Sequence, residues 1–100
     1  MTIHFVVRDA NKTILMATTN RVVAMDYAIL ESLNEPAREL SVVAMVPVML
    51  GKQQLFVAGS MGIVRRGEVV ESETLEETVA LADLRWRRYV ALLDTKDMTP

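Results

Sequence analysis

The sequence predicts an α+β fold, a mostly antiparallel sheet of about five strands in the order β-β-α-β-β-β-α with two helices packed on one face. Three observations carry it. Alternation of apolar and polar residues opens the chain, spacings of three and four recur in two separate stretches, and the segment between those stretches is rich in β-branched residues and punctuated by glycine.

Ile3, Phe5 and Val7 fall on one side of an extended segment, with His4, Val6 and Arg8 on the other, the period of a strand. Asp9-Ala10-Asn11-Lys12 is turn chemistry, because Asp and Asn bond their own backbone and Asn tolerates left-handed geometry. Thr13 to Thr18 then returns as a second strand. From Arg21 to Leu33, Val22, Met25, Ile29 and Leu33 recur at helical steps behind Asn20, a suitable N-cap, and Asn34-Glu35-Pro36 stops the helix. A competing reading keeps Val22 to Met25 extended, as two adjacent valines allow.

Ser41 to Leu50 and Gln54 to Ala58 read as two strands joined at Gly51-Lys52-Gln53. The first is apolar on both faces, as an inner strand would be, yet Pro47 cannot donate to a ladder and belongs at an edge or bulge. An edge strand covered by another subunit would reconcile the two. Gly59-Ser60-Met61-Gly62 is expected to bend the chain, and Ile63 to Val70 to form a fifth strand or a tight hairpin around Arg65-Arg66-Gly67. In the last helix, Thr74 with Glu77 makes a capping box, and Leu75, Val79, Ala82, Trp86, Tyr89, Val90 and Leu93 share one face. Acids precede and open this helix while Arg85, Arg87 and Arg88 lie in its second half, as a helix dipole favours, and Asp83 can pair with Arg87.

A chain of 100 residues with 51% apolar and 24% charged content makes one domain, residues 1–100, with Thr95 to Pro100 as a solvated tail. The first eight residues do not read as a signal peptide, and Val42 to Leu50, interrupted by Pro47, is too short to cross a membrane. A net charge of −2 argues against the broad positive field behind non-specific nucleic-acid binding, and zero cysteines remove thiol chemistry and suit a reducing cytoplasm.

Chemistry finds little to work with. Ser60 between Gly59 and Gly62 resembles a relaxed nucleophile elbow, but the one histidine, His4, lies at the other end of the chain. No second imidazole or thiolate completes a transition-metal set with His4, Glu71, Glu73, Glu76 and Glu77 have no calcium-loop spacing, and no phosphate-cradling glycine motif is present. No cofactor, no metal and no enzymatic activity are expected.

What remains is a second apolar stripe on the last helix. Leu81, Leu84 and Leu92, with Arg85 and Arg88 beside them, lie away from the Trp86 face, where a monomer normally carries polar residues. Met16, Met25, Met45, Met49 and Met61 add a weaker hint, since methionine serves adaptable contacts as well as cores. The expectation is a small non-enzymatic protein-interaction module, acting as a homodimer or as a subunit or inhibitor docked on a larger protein, with Leu81, Leu84, Arg85, Arg88 and Leu92 as the interface. The alternative is a regulator that touches nucleic-acid phosphates through Arg65, Arg66, Arg85 and Arg88.

Overall fold

The computed structural model describes residues 2–97. Its elements are β1 (His4–Arg8), β2 (Ile14–Thr18), α1 (Arg21–Asn34), β3 (Glu39–Leu50), β4 (Gln53–Arg65), β5 (Glu68–Ser72) and α2 (Leu75–Asp97). The strands form one sheet in the order β2-β1-β3-β4-β5, every neighbouring pair antiparallel. The predicted class and element order are those of the molecule. α2 runs on through Thr95-Lys96-Asp97, where the sequence led us to expect a tail, and residues 98–100 lie outside the described ones.

Local chemistry sets the turns. Asp9 Oδ1 accepts from the N–H groups of Asn11 (2.9 Å) and Thr13 (3.0 Å), closing the first hairpin. Gly51 takes φ +63° in the two-residue turn between Leu50 and Gln53. Arg66 (φ 54°) and Gly67 (φ 77°) are both left-handed between the paired Arg65 and Glu68, the type I′ pattern that matches strand twist. The fifth strand and the tight hairpin are therefore both present. Asn20 caps α1, its Oδ1 accepting from Val22 and Val23 N–H at 3.0 and 3.3 Å, which settles the choice between helix and strand there. Thr74 Oγ1 accepts from Glu77 N–H at 3.1 Å, half of the expected capping box. The Glu77 carboxyl lies instead against that of Glu73.

Two expectations about these elements need correction. Gly59-Ser60-Met61-Gly62 does not end the strand: β4 continues through it, and the pairing with β3 skips one residue, so that Met61 forms a bulge buried in the core. The two glycines serve close approach instead. A Cβ on Gly59 would lie 2.6 Å from Thr78 Cγ2, and one on Gly62 would lie 2.9 Å from the Glu71 carbonyl oxygen. In α1 the buried stripe is Ala24, Ala28 and Ser32, with Met25 and Ile29 at its flank, while Val22 and Leu33 remain 66% and 57% exposed. The small residues let the helix sit close to the sheet, and tertiary packing turns it away from its bulkiest side chains.

Ala24 and Ala28 of α1 and Ala82 of α2 share one core with Phe5, Val7, Leu40, Val42, Ala44, Val46 and Val64, so both helices cover the same sheet face. β1 pairs with β3 only from Ser41 to Met45, and β5 pairs with β4 only from Gly62 to Arg65. Beyond these limits β3 and β4 continue alone as a two-stranded arm with α2 along one face. Pro47 sits in that arm opposite Phe56, past the end of β1, so its missing N–H leaves no ladder bond unmade. The arm explains the molecule's length: its extents are 54 × 26 × 21 Å and its radius of gyration 15.6 Å, against about 13 Å for an ordinary 100-residue domain.

Candidate interaction surface

α2 runs toward the tip of the arm. Thr78 and Ala82 lie over Gly59, while Arg85, Trp86 and Tyr89 line a hollow with Leu55, Phe56, Val57 and Ala58. Trp86 is half-buried there and Tyr89 is 49% exposed, with the two rings 5.6 Å apart. Both belong to the helix face that the spacing aligned, but a two-stranded ribbon is too narrow to enclose it.

The predicted stripe is on the surface, with Leu81, Leu84 and Leu92 at 47%, 44% and 65% exposure and Arg85 and Arg88 exposed beside them. Its direction is fixed by the polar side chains next to it. Thr78 Oγ1 donates to the Ser60 carbonyl oxygen at 3.2 Å, and Arg85 Nη1 reaches the Ala58 carbonyl oxygen at 3.5 Å. Both carbonyls point off the outer edge of β4, and Leu81 lines a cleft with Ser60 and Glu71 at that same edge. Leu81 and Arg85 thus flank the open edge of β4, while Ala80 and Asp83 turn toward Val46, Pro47 and Val48 of β3.

The edge itself escaped the reading of the sequence. From Gln53 to Ala58 no strand among the described residues pairs with the outer side of β4, and no charged residue occurs from Gln53 through Val64. Exposed edges are usually blunted by charge or proline; here the bulge at Met61 lies where the edge is already covered, Glu73 N–H donating to the Met61 carbonyl oxygen at 2.8 Å. The charge-free run was the available signal, and the supposed bend at Gly59 hid its extent. The sheet face away from the helices is also largely apolar, carrying Val43, Met45 and Pro47 of β3 and Phe56, Ala58 and Ile63 of β4, with Phe56 48% exposed.

The candidate phosphate contacts do not gather. Arg65 is paired with Glu39 at 2.6 Å, and Arg66 occupies the β4–β5 turn. Seven residues of strand separate Arg65 from Ala58, where Arg85 docks, or roughly 20 Å. Asp83 and Arg87 do form the expected pair, at 2.9 Å. Ser60 pairs with Val43 and His4 with Met45, so the serine and histidine lie on either side of β3, about 12 Å apart by strand spacing and rise, beyond hydrogen-bond reach. Among the described residues no group of three or more potential metal ligands comes together, and no helix is long and apolar enough to cross a membrane.

Two carboxylates are shifted by their surroundings. Hydrogen bonds from the Thr13 and Asn11 backbone, with the Arg38 guanidinium at 3.3 Å, hold Asp9 below its ordinary value. Glu73 is raised by its hydrogen bond with Glu77 and by the charges of Glu77 and Glu71. Both have structural explanations, in a turn and at a helix start. Comparison with protein-family models, curated proteins and solved structures finds no match for this chain.

Proposed function

We propose that the protein works by binding another protein rather than by catalysis, as a homodimer or as a subunit or inhibitor docked on a larger protein. The contact surface is the outer face of α2: Leu81, Leu84 and Leu92 with Arg85 and Arg88 at its rim. The observation that carries this reading is the exposure of three leucines along one helix, Leu81, Leu84 and Leu92 at 47%, 44% and 65%. A monomer gains nothing from holding them in water, whereas a partner that covers them gains about 1.5–3 kcal/mol for each large side chain fully buried. The absence of cysteine suits the cytoplasm, where we place it.

Light scattering coupled to size exclusion at tens of micromolar should give a mass near twice 11.2 kDa for a homodimer. Leu84→Asp with Leu92→Asp should abolish partner binding while the fold is retained, with little dependence on salt. Loss of binding in Arg85→Ala with Arg88→Ala alone, together with salt-sensitive binding to DNA or RNA, would replace this reading by the nucleic-acid one.

A further inference from the structure

We propose that the occupant of the open β4 edge is the same edge of a second copy, joined antiparallel about a two-fold axis at Phe56 to make one continuous ten-stranded sheet. This rests on the interaction reading above and specifies its partner and its geometry.

The backbone sets the register. In β4 the carbonyls of Ala58 and Ser60 point outward, so by the two-residue period Gln54, Phe56 and Ala58 direct both N–H and C=O off the sheet, while Leu55 and Val57 bond to β3. Phe56 lies at the middle of Gln53 to Gly59, a stretch with which no outer strand among the described residues pairs. A dyad there pairs the whole stretch with itself: Phe56 with Phe56, Gln54 with Ala58, Leu55 with Val57. Each of the three outward residues then exchanges both backbone bonds with its opposite.

Several observations favour a second copy over an unrelated strand. The segment carries no charge, so self-pairing brings no like charges together within the strands. Leu55 and Val57 match in size and hydrophobicity across the dyad, and Phe56 meets its own aromatic ring on the open face. The axis is perpendicular to the sheet, so both copies of α2 lie on the same side and their edge-facing residues, Leu81 and Leu92, turn toward the partner helix. An isologous contact uses one patch twice, and strand edge and leucine stripe form one such patch. Pairing replaces the long 3.5 Å contact of Arg85 with the Ala58 carbonyl by the partner's Gln54 N–H.

The chain has no cysteine, which makes the test direct. Facing residues in a hydrogen-bonded antiparallel pair have Cα atoms about 5.5 Å apart, within disulfide range. Phe56→Cys, confirmed folded under reducing conditions, should oxidise to a covalent dimer in high yield. Gln54→Cys alone should not, because its two copies stand about 14 Å apart along the strands, whereas an equimolar mixture of Gln54→Cys and Ala58→Cys should link. Phe56→Pro removes an N–H that β3 does not use and should weaken the dimer roughly tenfold or more. A dimeric chain in which Leu84→Cys cross-links and Phe56→Cys does not would overturn strand addition while leaving the helix-face interaction standing. A chain that stays monomeric at tens of micromolar and fails to cross-link at Phe56 would remove self-association altogether, leaving only a different partner for the α2 stripe.

Discussion

Replacing Gly59 with alanine tests how α2 is seated on β4. The added Cβ would stand 2.6 Å from Thr78 Cγ2 and 3.3 Å from the Thr78 carbonyl oxygen, where ordinary contact begins near 3.4 Å, so helix and strand must part by about 1 Å. The helix cannot roll away freely, because Thr78 Oγ1 is tied to the Ser60 and Thr74 carbonyl oxygens at 3.2 and 2.9 Å. Overpacking of this kind costs about 1–3 kcal/mol, and alanine returns about 0.4–1 kcal/mol by restricting the unfolded chain. A net loss of about 1–2 kcal/mol follows, read as a fall in the urea midpoint of roughly 1 M at fixed protein concentration. Thr78→Ser keeps the hydroxyl and deletes the clashing methyl, so the double variant should recover most of the loss, with a coupling of about 1 kcal/mol. A Gly59→Ala protein as stable as the parent, or one that Thr78→Ser fails to rescue, would refute the seating described here.

Trp86→Ala should cost about 2 kcal/mol by denaturant unfolding, less than the 3–5 kcal/mol of a fully buried aromatic, because the ring is only half-covered on the arm. Arg66→Asn should raise stability by about 0.5–1 kcal/mol in thermal unfolding, since Arg66 holds φ 54° in a turn that asparagine accepts more readily. The Glu73 carboxyl should titrate above the ordinary glutamate range by NMR and return toward it in Glu77→Gln. Because this acid is raised in the folded state, its stabilising contribution is present below the unfolded pKa and lost as pH rises through the folded one, so Glu73→Gln should be favourable at neutral pH.

Strands and turns were legible where a single residue type dictates the backbone: Asp9 in the first turn, Gly51 and Gly67 in the next two, Asn20 and Thr74 at the helix starts. Packing decided what periodicity alone could not. In α1 the stripe of Val22, Met25, Ile29 and Leu33 has the right spacing, but the close approach available to Ala24, Ala28 and Ser32 outweighs it. Pro47 conflicted with an inner strand only while β3 was imagined flanked along its whole length; β1 covers it as far as Met45 and no further. Gly59 and Gly62 suggested a bend because what they make room for, Thr78 of α2 and the Glu71 carbonyl of β5, lies elsewhere in the sequence. Of the candidate surface, the leucine stripe was readable from helical spacing, whereas the open β4 edge depends on where β5 stops pairing.

Residue-resolved amide hydrogen exchange, followed as protein concentration is raised, tests the self-pairing edge most directly. The N–H groups of Leu55 and Val57 bond to β3 and should be protected throughout, while those of Gln54, Phe56 and Ala58 point outward. Protection at these three amides should climb with concentration until it matches that of their neighbours. Exchange at open-edge rates at every concentration would contradict the account.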